Sequence, residues 1–365
     1  MYNCDYLIVG AGFAGCILAE RIANILSKRV IIVEKRDHIA GNAYDFIDEN
    51  NIMVHMYGPH LFHTNDEKVF KYLSKFTDWS GYEHRVNASY KNQLYPFPIN
   101  RITINKYFGI NLSNETDVRK YLDNIKINKK IILNSEDVIL SQVGYELYEV
   151  FFKNYTNKQW NLYPNELHPS VCGRVPLRYN DDDRYFNDKY QYMPKYGYTK
   201  MFLEMLRNNN ITVILNSEYI SLINKINYKH LIYTGPIDSY FNHKFGNLQY
   251  RSIRFEFQKQ DKEIYQKYPQ INFVDKDINY TRIVEYKQIT GGNSKSTTIS
   301  IEYPLINGEP FYPIPTVVNN NIYRLYKSEA DKLSNVIFCG RLAEYQYYNM
   351  DQVTARSLIM FNKFL

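Results

Sequence analysis

The chain is poor in cysteine and has no long apolar run. Its four cysteines, Cys4, Cys16, Cys172 and Cys339, stand among 365 residues without a CxxC spacing, which argues against both a disulfide framework and a zinc site. They read as small buried hydrophobes, and no metal is expected. No apolar stretch approaches the roughly 18 residues of a spanning helix. Met1 leads through Asp5 straight into a strand-like stretch, without a basic start and apolar core. These absences argue against membrane insertion and for a cytoplasmic protein. Charge is sparse as well: 22% of residues are charged against 45% hydrophobic, which rules out a wholly disordered chain. Lys and Arg number 44 against 38 acids, a net charge of +6 that is spread along the chain. That pattern suits an anionic small-molecule substrate better than a nucleic acid. The chain contains neither an internal repeat nor a low-complexity segment.

Residues 6–34 read YLIVGAGFAGCILAERIANILSKRVIIVE. A short apolar run meets Gly10, Gly12 and Gly15, a helical pattern continues through Cys16, Leu18, Ala19 and Ile22, and a second apolar strand ends at Glu34. Strand, glycine turn, helix, second strand and acid together form the context of a dinucleotide-binding turn. The glycines let backbone N–H groups approach a pyrophosphate, which the helix N-terminus stabilises. Glu34 follows Gly10 by 24 residues, where a carboxylate binds ribose hydroxyls and disfavours a 2′-phosphate, and hence NADP.

At the far end, residues 335–358 read NVIFCGRLAEYQYYNMDQVTARSL: a buried strand ending at Gly340, a polar aromatic loop, and a helix opening near Asn349 to Asp351. A cofactor reaching from the first glycine turn to a second helix N-terminus is longer than a nicotinamide requires, which favours FAD. Between these ends, residues 198–207 have a helical pattern, 211–215 and 231–233 read as strands, and Thr234-Gly235-Pro236 is a turn able to touch the cofactor. The FAD-binding domain is therefore expected to be discontinuous, comprising 1–80, 196–240 and 318–365. Residues 66–160 are mostly helical in pattern, at 69–76, 118–125 and 145–152, giving a helical insertion over 81–175. Stretches 252–257, 280–286 and 297–303, interrupted at Gly291-Gly292-Asn293, read as an antiparallel sheet. The sheet domain is expected over 176–195 and 241–317. The fold class is α/β, in the wider sense of a multidomain α+β chain: a Rossmann-like FAD-binding domain with an inserted helical domain and an antiparallel β-sheet domain.

Three local groups could carry chemistry. In Gly58-Pro59-His60-Leu61-Phe62-His63 two histidines lie three apart after a turn, but no third ligand is near in a suitable pattern, so metal binding is rejected. Phe151, Phe152, Tyr155, Thr156, Gln159 and Trp160 form an aromatic ladder with interleaved polar groups. Such spacing usually marks core, yet it also suits a nucleobase that needs a stacking face and hydrogen bonds. Residues 170–185, SVCGRVPLRYNDDDRY, hold Arg174 and Arg178. These are either solvated loop charges or part of a mobile lid whose arginine closes on an anionic substrate. Arg282 and the tyrosines Tyr185, Tyr312 and Tyr347 would complete such a clamp.

Taken together, GFAGC at the glycine turn, VEKRDHIAGNAY at 33–44, YGPHLFHT at 57–64, LYPFPIN at 94–100, YTNKQW at 155–160, GRVPLRYNDDDRYF at 173–186, YTGPID at 233–238, YTRIVE at 280–285 and GRLAEYQYY at 340–348 resemble the UDP-galactopyranose mutase family, essentially end to end. The resemblance implies a three-domain homodimeric enzyme that holds FAD. It interconverts UDP-galactopyranose and UDP-galactofuranose without net redox change, in cell-surface polysaccharide biosynthesis. It implies that FAD is active when reduced: its N5 attacks the anomeric carbon and expels UDP, the adduct opens through an iminium, the 4-hydroxyl recloses the ring, and UDP returns. By matching position, Arg174 would be the lid arginine and Arg282 the fixed arginine on the diphosphate, with Tyr185, Tyr312 and Tyr347 on phosphate oxygens. Phe151, Tyr155, Thr156 and Trp160 would hold uridine, Tyr155 by stacking, and Asn272 would be a polar contact. His60 and His63 would flank the isoalloxazine, with His60 able to sense flavin redox state and protonation. Gly10, Gly12, Phe13, Ala14, Gly15, Glu34, Lys35, Asn42, His60, Leu61, Gly235, Arg341, Met350, Asp351, Gln352 and Val353 would grip FAD.

Two positions depart from the family pattern. Ala40 replaces a usual glycine and is expected only to stiffen its turn. Asn349 replaces an aspartate, removing a charge near flavin and substrate that Asp351 is positioned in sequence to restore in part. The residues leave open the same chemistry on UDP-N-acetylgalactosamine, a FAD-dependent oxidoreductase on the same fold, and a non-catalytic nucleotide-sugar-binding protein.

Overall fold

The computed structural model describes residues 2–364. The apolar runs Tyr6–Val9 and Val30–Val33 are almost entirely buried, as strands covered on both faces of a parallel sheet must be. They form the centre of a five-stranded parallel sheet in the order Ile211–Ile214, Val30–Val33, Tyr6–Val9, His230–Tyr233, Val336–Phe338. Helix Phe13–Ile25 leaves the first strand, and helix Met350–Phe364, from the other end of the chain, packs along it. The turn between strand and helix tolerates no side chain at Gly10, which has φ +101°. A Cβ there would lie 2.2 Å from Thr234 Oγ1, and one on Gly15 would lie 2.0 Å from the Gly10 carbonyl oxygen.

The second large element is a seven-stranded sheet in the order Tyr312–Pro313, Tyr250–Gln260, Thr297–Leu305, Arg282–Glu285, Gln270–Phe273, Val86–Tyr90, Gln93–Phe97. Every pairing is antiparallel except that of Gln270–Phe273 with Val86–Tyr90. The strands at 86–97 differ from the helical insertion expected over 81–175. They form a hairpin whose turn residues, Lys91 and Asn92, both have positive φ, 48° and 61°, the geometry that matches strand twist without the Asn-Gly signature that announces it. The segment 176–195 also differs from its expected place. Its strand, Tyr190–Pro194, pairs with Phe62–Thr64 and Trp79–Gly81 in a separate three-stranded sheet.

Helices Arg101–Phe108, Glu115–Ile125 and Ser135–Tyr148 make up the helical part, and each is started by an asparagine, at positions 100, 114 and 134, whose side chain accepts a first-turn backbone N–H. The last of these breaks at Gly144 (φ 78°), where Ile125 O would lie 2.3 Å from any Cβ. The chain then passes through the π-helical turn Glu149–Lys153 into helix Asn154–Trp160. Such turns re-aim side chains, frequently at functional sites. Ala40 has φ 73°, the left-handed region, where alanine costs about 1 kcal/mol relative to glycine. Its replacement of glycine therefore strains the turn rather than merely stiffening it.

Candidate active site

Three neighbouring strands of the large sheet place Asn272, Arg282 and Glu302 in a row, since Asn272 pairs with Arg282 and Arg282 with Glu302. Directly paired residues share a face, and this face forms one wall of a cavity of about 480 Å³. The opposite wall is the π turn and the helix after it, carrying Phe151, Tyr155, Thr156 and Trp160. Arg174 stands at the exposed mouth, next to the short helix Ser170–Gly173, and His60, His63, Arg341 and Asn349 close the remaining side. All the residues singled out above as catalytic or substrate-binding line this one cavity, Tyr185, Tyr312 and Tyr347 among them.

Its electrostatics are cationic. Arg282 Nε lies 2.8 Å from Glu302 Oε2, and Glu302 is 2% exposed. Burial pushes the Glu302 carboxyl up while Arg282 draws it down. From the mouth, the Arg174 guanidinium lies 4.4 Å from the Tyr347 ring centre and donates to its hydroxyl at 3.4 Å. Arg341 donates to Tyr348 O at 2.6 and 3.1 Å, with its guanidinium 5.3 Å from the same ring. Burial works to raise the Tyr347 phenol, but the three guanidiniums of Arg174, Arg341 and Arg282 outweigh it and hold the group below its ordinary value. Trp160, Tyr312 and Tyr347 stack edgewise in a triangle with centroids 5.1 to 5.8 Å apart, and the Gln159 amide donates to the Tyr312 hydroxyl. Three arginines against two carboxylates, Glu302 paired with Arg282 and Asp188 beside His63, leave a net positive, partly enclosed space that favours an anion.

His60 donates from Nδ1 to Gly58 O at 2.9 Å, while its backbone N–H bonds His55 Nδ1 at 2.9 Å. A carbonyl only accepts, so Nε2 carries no proton. Burial pushes the His60 imidazole down to about 3, which keeps it neutral at ordinary pH. His63 Nδ1 lies 2.8 Å from Asp188 Oδ2, and its ring stacks on Phe186 at 3.7 Å.

The residues proposed to grip the cofactor divide between the glycine turn and the cavity. Gly12 caps helix Phe13–Ile25 without a side-chain hydrogen bond, leaving the first N–H groups free, and Gly41 approaches so closely that a Cβ on it would lie 2.8 Å from Gly12 Cα. This cradle fits a pyrophosphate. The side chains of Phe13 and Ala14 turn into the core, Phe13 edge-on to Phe202 at 4.8 Å, so only their backbone faces the turn. Glu34 accepts the Ala11 and Arg36 N–H groups at 2.8 and 3.0 Å. Lys35 pairs with Glu309 at 2.9 Å, and Asn42 accepts from Arg36 at 2.9 Å. Gly235 follows strand His230–Tyr233, beside the Tyr233 hydroxyl. Asn42, Leu61, Arg341 and Met350 reach the cavity. Gln352 accepts the Asn349 N–H at 2.9 Å, and Val353 packs on the core. Asp351 is not among the cavity residues: one carboxylate oxygen accepts from Thr64 at 3.0 Å, the other is buried with no partner among the described residues, and burial raises the group. Arg178 is no lid residue either. Its side chain is buried and bonds Asp182 at 2.9 Å and Phe186 O at 3.2 Å, tying its own loop together.

A family model described as UDP-galactopyranose mutase matches residues 150–347, and one described as an NAD(P)-binding Rossmann-like domain matches residues 8–76. The chain is 38% identical to a Klebsiella pneumoniae protein named "Probable UDP-galactopyranose mutase", over 100% of this chain and 96% of that one. The chain belongs to the UDP-galactopyranose mutase family. It is thereby an enzyme, an isomerase. Another relative, an Escherichia coli protein named "dTDP-fucopyranose mutase", is 37% identical over 94% of each chain. The crystal structure of a reduced UDP-galactopyranose mutase superposes with a TM-score of 0.77 at 15% identity, covering 98% of this chain and 95% of that one, a likeness of fold.

Within this mutase fold, sequence reasoning missed several residues of the site. Glu302 became visible only when its strand paired with that of Arg282. Lys158, inside the YTNKQW stretch, has its ammonium 2.6 to 3.1 Å from the backbone carbonyls of Phe273, Asp275, Ile278 and Tyr280, among which its three N–H groups are shared, joining the aromatic wall to the sheet wall. Asp188 beside His63, and His84 and Gln270 beside Asn272, carry no local motif. The one usable signal for Gln270 was its i, i+2 spacing from Asn272 on a strand.

Proposed function

We propose that the chain interconverts UDP-galactopyranose and UDP-galactofuranose, with reduced FAD as its cofactor. The observation that carries this reading is the cavity in which Arg282 and Arg174 face one space from different walls, next to residues that lead to the glycine turn. The Gly10–Gly15 turn, Glu34, Asn42, Arg341 and the start of helix Met350–Phe364 would hold FAD, which when bound and reduced would supply a nucleophilic N5 for the anomeric carbon. Arg282, held by Glu302, binds the diphosphate from the sheet, and Arg174 closes on it from the mouth with Tyr347. Tyr185 and Tyr312 donate hydroxyl hydrogen bonds to phosphate oxygens. Diphosphate is both leaving and returning group, so fixed cations stabilise its charge in both directions. Phe151, Tyr155, Thr156 and Trp160 take the base, Tyr155 by stacking. His60 and His63 would lie beside the flavin ring, and neutral His60 would offer it an acceptor at Nε2. The same reading carries a cytoplasmic homodimer that supplies furanose sugar to a cell-surface polysaccharide.

A second reading, the same chemistry on a dTDP-fucose substrate, is favoured by the E. coli relative, whose identity lies one percentage point from that of the K. pneumoniae protein. A few pocket contacts separate such substrates. Incubating the flavin-loaded protein with UDP-galactofuranose, with and without dithionite, tests both. Conversion to UDP-galactopyranose only after reduction is the expected result. Failure with UDP-galactofuranose but conversion of the dTDP-fucose substrate would transfer the proposal to the second reading, and failure with both would overturn it.

A further inference from the structure

A hydrogen-bonded chain runs along the sheet wall of the cavity, whose lining includes His84, Gln270 and Asn272. The Tyr82 hydroxyl lies 3.1 Å from His84 Nδ1, His84 Nε2 lies 3.3 Å from Gln270 Oε1, and Gln270 Nε2 donates to Asn272 Oδ1 at 2.9 Å. His84, Gln270 and Asn272 are 2%, 4% and 5% exposed. An amide oxygen only accepts, so the imidazole proton sits on Nε2, and Nδ1 accepts from Tyr82. Burial pushes His84 down to about 3, which keeps the ring neutral. The chain has one polarity along its whole length. It occupies the oxygen of Asn272 and leaves the amide NH₂, which has no acceptor among the described residues, for the cavity beside Arg282.

We propose that Tyr82, His84 and Gln270 are positioning residues that hold Asn272 as a hydrogen-bond donor to a substrate oxygen next to the group bound by Arg282. This rests on the reading of the cavity as a nucleotide-sugar site. The opposite polarity is also internally consistent: His84 would carry its proton on Nδ1, both amides would flip, and Asn272 would present its oxygen instead. The two states select different substrates, since one needs an acceptor at that point and the other a donor.

The test has two parts. In protein with ¹⁵N-labelled histidine, the His84 resonances, assigned by their loss in His84→Gln, report the tautomer without any ligand. A proton on Nε2 is expected, and one on Nδ1 overturns the assignment. In the second part, KM for UDP-galactopyranose is measured in a double-mutant cycle. Gln270→Leu is expected to raise it about tenfold alone and less than about twofold in an Asn272→Ala background, because Gln270 acts through Asn272. Equal effects in both backgrounds would mean a merely structural role and overturn the proposal. Should Gln270→Leu fail to fold, Tyr82→Phe keeps the ring and is expected to raise KM about threefold with the same dependence on Asn272. A wild-type protein that turns over no nucleotide sugar overturns the functional reading instead, and the tautomer alone then decides the polarity of the chain.

Discussion

Arg282 and Arg174 serve one cavity from walls built in different ways. Arg282 stands on a strand in the middle of a seven-stranded sheet, in register with its neighbours and 2.8 Å from a buried carboxylate. Arg174 follows a four-residue helix at the mouth and rests on a tyrosine ring. The first arrangement fixes a charge before substrate arrives. The second leaves a charge able to reposition around substrate as it enters and departs. The proposed reaction, in which diphosphate would leave and return, would use both, a constant field and a movable cover.

Four substitutions and one control probe this division, from the largest expected effect to the smallest. Arg282→Ala should lower kcat/KM about a thousandfold with FAD retained. It should also lower unfolding stability by about 3 kcal/mol, since Glu302 is left buried and unpaired. Arg174→Ala should lower kcat/KM about a hundredfold, again with FAD retained, while the melting temperature stays unchanged. Equal stability losses in the two variants would erase the distinction between the walls. Lys158→Met removes the donor that ties the walls together and should cost about 2 kcal/mol in denaturant unfolding. Asn349→Asp restores the missing carboxylate and should change kcat or the flavin potential by a few-fold equivalent with the reaction unchanged; identical values would make position 349 neutral. As a control outside both walls, Ala40→Gly should raise stability by up to about 1 kcal/mol by relieving the left-handed alanine, visible as a higher melting temperature.

The two walls also differ in how far they can be read from sequence. The glycine turn is local: Gly10, Gly12, Gly15 and Glu34 declare themselves because strand, turn, helix and strand follow one another within 29 residues. Arg174 and Tyr155 lie in contiguous stretches of mixed aromatic and basic residues, which also announce themselves. The sheet wall instead depends on pairings between segments far apart in sequence. Arg282 is matched to Glu302 by a register that no local pattern encodes, and the 86–97 hairpin turns through Lys91-Asn92 without glycine. The partner of Asp351 is hidden for a related reason. Its sequence position beside Asn349 says nothing of Thr64, the residue that takes its carboxylate.

The central claim is that a flavoprotein fold here performs an isomerisation that leaves the flavin redox state as it began. The most direct measurement follows the flavin spectrum and reductant consumption of the anaerobically reduced protein while UDP-galactofuranose is converted. The account predicts many product molecules per flavin, a flavin that stays reduced, and no reductant consumed. Reductant consumed as the substrate disappears, with a product at a lower oxidation level in place of UDP-galactopyranose, would contradict it and mark the chain as an oxidoreductase.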